Sequence, residues 1–310
     1  MDKKIVVIAG PTAVGKTGIS IEVAQRINAE IVSCDSMQLY RFMDIGSAKP
    51  TSDQLKMVKH HLIDVIDPRE TFSVARYQKM AKESIGQIFD AGKTPLITGG
   101  TGLYLNSLLY EMDFGTFSGD IAYRQELYKL SEKEGNEALF HLLKQVDPSS
   151  AQRIHPNNVK RVVRALEAAK LGGVKLNDFN CVNERTKDYG VVLIGLTRLR
   201  EQLYKRIDHR VDQLMLSGLL EEVSRLKKMG FTSADIAMKG IGYKELLDCL
   251  SGKYSLAAAI EQIKLNTRHY AKRQMTWFKR YPDMTWFEIE ENQSDQEIGE
   301  QIVLWLNKRK

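Results

Sequence analysis

The chain has 310 residues, 43% apolar and 27% charged, with a net charge of +6. That is enough apolar content for a real core in one large domain or two ordinary ones, and it excludes a disordered or collagen-like chain. Cys34, Cys181 and Cys249 stand far apart with no CxxC pair, so neither a disulfide framework nor a zinc site is indicated, which fits a reducing cytoplasm. No stretch approaches membrane-spanning length, and the first apolar run is too short for a signal peptide, so no membrane partner is expected. The positive balance admits a polyanionic partner if the charges cluster.

Ile5-Val6-Val7-Ile8-Ala9 is a β-branched run that predicts a strand, and apolar residues return at helical spacing from Ile19. Between them lies Gly10-Pro11-Thr12-Ala13-Val14-Gly15-Lys16-Thr17, the pattern G-x-x-x-x-G-K-[ST] in the strand, loop and helix context it needs. Glycines let the backbone fold round an anion, and the helix adds its positive N-terminal end. Lys16 supplies a full charge to phosphate oxygens, and the Thr17 hydroxyl is a ligand for Mg2+. The loop therefore binds a diphosphate or triphosphate.

A second strand, Glu30 to Cys34, runs into Asp35-Ser36-Met37-Gln38. In an open α/β sheet ligands sit beyond the carboxyl ends of strands, so Asp35 shares a rim with the phosphate loop; capping the next turn is its other use. Residues 44–50 read as a loop, and His60 to Pro68 as a third strand whose adjacent histidines point to opposite faces and so hold no metal. Ser73 to Ala91 has helical spacing and stops at Gly92. A fourth strand, Pro95 to Thr98, leads into Gly99-Gly100-Thr101-Gly102, either a close-approach loop on the same rim or a tight turn needing positive φ.

Strand and helix alternation stops near Tyr110. From about Gly119 the chain reads helical: Arg124 to Glu134, Asn136 to Gln145, Pro148 to Ile154, then Val159 to Leu171 ending at Gly172-Gly173. Lys160 and Arg164 lie one turn apart with Arg161 beside them. Val191 to Leu196 is again a buried strand, so the expected fold is α/β, a P-loop NTPase-like parallel sheet flanked by helices, with an all-helical insertion domain. The boundaries expected are 1–115 and 185–310 for the catalytic core with a C-terminal helical part, and 116–184 for the insertion. Leu199 to Leu216 is a helix bearing Arg206 and Arg210 on one face, within reach of a phosphate if the helix starts at the rim. The segment Lys264 to Arg280 interleaves Lys264, Arg268, Lys272 and Arg273 with Tyr270, Trp277 and Phe278, the mixture used on RNA backbones and unstacked bases, although the aromatics suit a core equally.

In order along the chain, the phosphate loop, Ser33-Cys34-Asp35-Ser36, residues 43–50, Gly99 to Tyr104, His155-Pro156-Asn157, Gly240-Ile241-Gly242-Tyr243, Thr267-Arg268 and Ala271-Lys272-Arg273-Gln274 resemble the tRNA dimethylallyltransferases. Cys34 stands where relatives often carry Val, and Lys239 and Lys244 where some carry Arg. The zinc finger of eukaryotic relatives is missing. The resemblance implies transfer of the dimethylallyl group from dimethylallyl diphosphate to N6 of adenosine 37, next to the anticodon, in tRNAs reading codons that begin with U, with Mg2+ and without ATP hydrolysis. It implies that Lys16, Thr17 and Arg210 stabilise the leaving diphosphate, Asp35 takes the N6 proton, Gln38 reads the base edge and Thr101 holds the nucleotide. It further marks Asp35 to Gln38, Arg124, Lys160-Arg161-Val162-Val163-Arg164, Lys239 to Lys244 through Gly240, Ile241, Gly242 and Tyr243, and Thr267-Arg268-His269-Tyr270-Ala271-Lys272-Arg273-Gln274 as facing the anticodon stem-loop. A monomer with no obligate protein partner is expected. A P-loop small-molecule kinase and an adenylate isopentenyltransferase of the cytokinin type are the alternatives.

Overall fold

A computed structural model of the chain describes residues 3–112, 120–170 and 184–309. The expected helix stop at Gly172-Gly173, the helical onset near Gly119, and Cys181 lie outside the described residues. The chain forms two compact units, Met1–Tyr110 with Arg185–Lys310, and Glu111–Glu184.

Along the first unit run β1 (Lys4–Ala9), α1 (Lys16–Arg26), β2 (Ala29–Cys34), α2 (Ser52–Met57), β3 (His60–His61), α3 (Val74–Asp90), β4 (Thr94–Gly99) and α4 (Gly102–Leu109). The second unit holds α5 (Ile121–Glu134), α6 (Asn136–Val146), α7 (Pro148–Ala151) and α8 (Val159–Lys170). The first unit resumes with β5 (Gly190–Thr197), α9 (Arg200–Leu216), α10 (Leu219–Lys228), α11 (Tyr243–Leu250), α12 (Leu256–Phe278), β6 (Thr285–Glu288) and α13 (Asp295–Asn307).

The six strands form one sheet in the order β3-β2-β4-β1-β5-β6, every pair parallel. Side chains alternate across it, as strand geometry dictates. Ile5, Val7, Val32, Ile97 and Leu193 face one core with Tyr77, Ile85, Val223, Tyr243 and Phe278. Val6, Ile8, Ile31, Leu96 and Ile194 face the other with Ile19, Val23, Ile207, Ile298 and Ile302. A sheet buried on both faces explains why its strands read as unbroken apolar runs. In α3 the Ser73 side chain accepts from Arg76 N, Tyr77, Ala81, Ser84, Ile85 and Ile88 are buried on one stripe, and Gly92 follows at φ 69°. The second unit has its own core, with Leu127, Leu139, Phe140, Leu143, Val162, Val163 and Leu166 at its centre.

Two differences from the sequence reading matter. The third strand ends at His61, because Leu62 and Asp64 adopt φ of 62° and 57°, outside the extended region; only a bridge from Ile66 to Tyr40 continues the pairing. His60 Nδ1 meets the Val58 carbonyl and His61 Nε2 meets Glu30 at 2.7 Å, so both histidines are structural. The second difference is the elements without a sequence expectation: α2, α4, α10, β6 and α13. From α10, Glu222 (3% exposed) accepts from the amides of Asp44, Ile45 and Gly46 and from the Tyr243 hydroxyl at 2.7 Å, which pins the loop 44–48 to the body.

Glu222→Ala leaves three partly buried backbone amides and the buried Tyr243 hydroxyl without this acceptor. The expected loss is about 3 kcal/mol or more in urea unfolding. A loss below about 0.5 kcal/mol, the size of an ordinary surface change, shows that the loop is held by other contacts.

Candidate active site

The phosphate loop is shaped by two left-handed residues, Ala13 at φ 63° and Gly15 at φ 116°, the latter opening α1. Three cations donate to the carbonyls of this loop. Arg206 Nε donates to Ala13 O at 3.0 Å, and Arg198 Nε to Val14 O at 3.0 Å. Lys16 Nζ donates to Gly10 O at 3.0 Å and Pro11 O at 2.8 Å. Gln274, buried on α12, accepts from Thr12 N at 2.8 Å and donates to Gly100 O at 2.9 Å.

The glycine loop after β4 is a close-approach device, since none of Gly99, Gly100 and Gly102 has positive φ. A Cβ at Gly100 would stand 2.2 Å from Gln274 Nε2, and one at Gly102 2.3 Å from the Trp277 ring. This crowding lets Thr101 reach the end of β2: its amide donates to Cys34 O at 3.1 Å and its Oγ1 accepts from Ser36 N at 3.0 Å. Asp35 fills both roles open in the sequence. One oxygen accepts from Met37 N at 2.8 Å, which fixes the turn, and the side chain lines the cavity. Ser33 Oγ donates to Gln38 Oε1 at 2.9 Å and Gln38 Nε2 donates to Ala48 O at 3.2 Å, holding Gln38 against the wall.

These elements enclose a cavity of ≈ 410 Å³. It is lined by Thr12, Lys16 and Thr17 of the loop, by Asp35, Gln38 and Tyr270, and by Arg206, Arg210 and Asp295. Burial pushes the Lys16 ammonium down to about 8; Asp35 pulls it up and Arg210 pushes it down. Burial likewise lowers the Arg210 pKa against the upward pull of Asp35. Burial also pushes the Tyr270 hydroxyl up, reinforced by the nearby Asp35 and opposed by its bond to Thr101. Lys16, Arg210 and Asp35 thus form one electrostatic group, two cations around one carboxylate in a recess short of water.

The residues expected to face RNA divide by exposure. Lys160, Arg161, Arg164, Lys239, Lys244, His269, Lys272 and Arg273 are exposed; Ser36, Met37, Arg124, Ile241, Thr267 and Arg268 are half-buried. The side chains of Val162, Val163, Tyr243 and Ala271 are buried in the frame, and Gln274, buried as well, lines the cavity. Gly242, at φ 94°, is buried too and donates its amide to Glu245 at 2.8 Å. Gly240 lies against Met37, where a Cβ would stand 2.5 Å from Cε. Within the second unit, Arg124 and Arg164 both pair with the buried Glu167, at 2.8 Å and 3.0 Å. On α12, Arg268 pairs with Asp208 at 2.6 Å and Lys264 with Asp212 at 2.8 Å, so the positive charge of this segment is partly neutralised by α9. Phe278 is core, which settles the aromatic alternative for that residue. Sequence reasoning missed Glu222, Arg198 and Asp295. Only the Ser294 and Glu297 capping box offered a signal, marking the start of α13.

The lowered Lys16 pKa has a measurable sign. Below pH 8 the group is charged in both folded and unfolded chains and its burial cost is fully present. Between pH 8 and 10.5 the folded form sheds the proton first, so stability rises with pH. Wild type is expected to gain on a Lys16→Met variant across that window in paired urea melts. A constant difference from pH 7 to 10.5 rules out the shift.

The described features fit a group of known proteins. Residues 38–281 match the IPP transferase family. The chain is 47% identical over 303 residues to the tRNA dimethylallyltransferase of Alkaliphilus oremlandii, covering 98% of this chain and 97% of the relative. It is 48% identical over 302 residues to that of Clostridioides difficile, covering 97% of each. Its fold is similar to the full-length tRNA isopentenylpyrophosphate transferase of Bacillus halodurans, with a TM-score of 0.73 and 42% identity over 100% of this chain and 98% of the other. It is also similar to a eukaryotic dimethylallyltransferase solved acting on tRNA, with a TM-score of 0.85 and 30% identity over 99% of this chain and 79% of the other. With the family match spanning most of its length and end-to-end relatives near half identical, the chain belongs to the IPP transferase family, the tRNA dimethylallyltransferases.

Proposed function

We propose that this enzyme transfers the dimethylallyl group of dimethylallyl diphosphate to N6 of adenosine 37, beside the anticodon, giving N6-isopentenyladenosine in tRNAs that read codons beginning with U. The observation that carries the reading is the convergence of Lys16, Arg210 and Asp35 on one cavity beside the phosphate loop. Breaking the allylic C–O bond sends its electron pair to the diphosphate, whose growing charge meets Lys16, Arg210 and the loop amides. The N6 lone pair forms the new C–N bond, and the N6 proton passes to the Asp35 carboxylate. The target base must leave its stack to enter the recess, where Gln38 and Thr101 meet it.

Mg2+ fits this donor set. Among the described residues no cluster of three His, Cys, Asp or Glu stands ready for a metal. Mg2+ that keeps its waters and leans on diphosphate oxygens needs no such cluster, only the Thr17 hydroxyl that lines the cavity. When bound it neutralises charge on the leaving group. Phosphate loop, carboxylate and arginines all come together within a single chain, which supports action as a monomer, and the isolated cysteines support the reducing cytoplasm as its place. Among the described residues no helix is long and apolar enough to cross a membrane.

One assay tests the reading. Labelled dimethylallyl diphosphate or labelled ATP is incubated with bulk tRNA and with AMP. Prenyl label is expected in tRNA alone, and EDTA should abolish it. Label in AMP indicates an adenylate isopentenyltransferase, and phosphate transfer a kinase. Asp35→Asn still accepts from Met37 N, so folding should hold while turnover drops by about 10²- to 10⁴-fold. Normal turnover removes Asp35 from the chemistry.

RNA affinity is expected from the exposed cations of α12. Replacing Lys272 and Arg273 by Gln should shallow the salt dependence of tRNA binding by about one unit per lost phosphate contact, with dimethylallyl diphosphate affinity unaltered. A wild-type slope in the double variant assigns these residues to solubility.

A further inference from the structure

Helix α9 runs alongside the cavity from the phosphate loop to the loop 44–48. Near its start Arg206 Nε donates to Ala13 O. Just past its end, a Cβ at Gly218 would stand 3.8 Å from Ile45 Cδ1, in the loop whose Ala48 carbonyl accepts from Gln38. At about 100° per residue, the side chains of α9 sort into three faces. Leu203, Ile207 and Val211 are buried in the core. Asp208 and Asp212 pair with Arg268 and Lys264 of α12. Arg206, His209, Arg210 and Gln213 fall within an arc of about 100°, and all four line the cavity.

Two of these four already have a role. Arg206 holds the phosphate loop, and Arg210 acts on Lys16 and Asp35. His209 and Gln213 are exposed and, among the described residues, have no hydrogen-bond or ion-pair partner. Gln213 lies two turns beyond Arg206, about 10 Å further along the helix and toward the loop 44–48. Ser47 and Ala48 of that loop line the same cavity. In a displacement the nucleophile approaches carbon opposite the leaving group, so the base lies on the far side of the allylic carbon from the diphosphate. Its sugar, at the other end of the purine from N6, lies further out in the same direction. That is the direction in which α9 continues past Arg210. We propose that His209 and Gln213 receive the sugar–phosphate backbone of the target nucleotide, each donating an N–H to a phosphate oxygen. The inference rests on the reading that N6 of an adenosine in RNA is the acceptor. A polar stripe on a helix ordinarily serves only to meet water; this one turns to the cavity.

The test measures prenylation by the full chain with Mg2+, dimethylallyl diphosphate and a synthetic anticodon stem-loop. Gln213→Glu keeps the size of the side chain and replaces its donor with an anion, and Gln213→Lys supplies a cation. Lys205→Gln makes the same change of charge as Gln213→Glu at an exposed position of α9 that does not line the cavity. Gln213→Glu is expected to raise the KM for the stem-loop by about tenfold or more, with kcat within about twofold. His209→Ala should raise the same KM by about threefold or more, Gln213→Lys should not raise it, and the KM for dimethylallyl diphosphate should hold in all of them. Methylphosphonate in place of the phosphates flanking the target adenosine should abolish the difference between wild type and Gln213→Glu. An equal rise in KM for Lys205→Gln reduces the effect to a general field and overturns the proposal. So does a penalty that survives methylphosphonate, or a lowered melting temperature with an unaltered KM, which assigns Gln213 to the stability of α9. A rise in the KM for dimethylallyl diphosphate instead places Gln213 on the other substrate and also overturns it. Wild type that prenylates neither the stem-loop nor bulk tRNA overturns the functional reading, and this inference with it.

Discussion

The side chain of Gln274 ties the catalytic end of the first unit together. One amide group spans two loops that are far apart in sequence, by its contacts to Thr12 and Gly100. Because the amide is buried, losing either contact strands a polar group away from water, so the two loops move as one. Gly100 is glycine because the Gln274 amide occupies the space of its side chain. The same helix carries Lys272 and Arg273 to the surface. A phosphate backbone resting on α12 would therefore be referenced to the phosphate loop through a single rigid element, which suits a reaction whose two substrates must meet within bonding distance.

Buried carboxylates organise the rest. Glu222 collects three amides and a phenol, Glu245 takes the Gly242 amide and the Asn266 amide at 2.7 Å, and Glu167 gathers Arg124 and Arg164. Each is satisfied by several donors, the condition under which a buried acid is tolerated. Each also fixes a segment that local propensity leaves undefined: the loop 44–48, the turn before α11, and the guanidinium pair of α5 and α8.

β1, β2, β4 and β5 with α1, α3 and α9 were legible because period and punctuation agree along them. Ile5 to Ala9 is β-branched and unbroken, and Ser73 and Gly92 bracket α3. The phosphate loop was legible because its chemistry demands a fixed spacing. The end of the third strand at His61 was not: the apolar run from Leu62 to Ile66 looks extended, but two left-handed residues, Leu62 and Asp64, turn it away, and Lys49 ties Asp64 in that position. Asp295 and Glu222 were illegible for another reason. Each acts on a segment more than 170 residues away in sequence, and no local pattern announces a contact that only packing creates.

The same distance explains why a charge count misleads. A net charge of +6 and a ladder of Lys264, Arg268 and Lys272 suggest one continuous basic face. In the fold, Asp208 and Asp212 of α9 take the charges of Arg268 and Lys264, and Glu167 shares Arg124 with Arg164. An exposed ion pair adds little stability, but it weakens the field that a polyanion meets. Cations able to release counterions from RNA are then fewer than spacing implies, and the Arg268 pair with Asp208 also holds α12 on α9. Salt dependence, which counts phosphate contacts and not arginines, is the quantity that distinguishes the two roles.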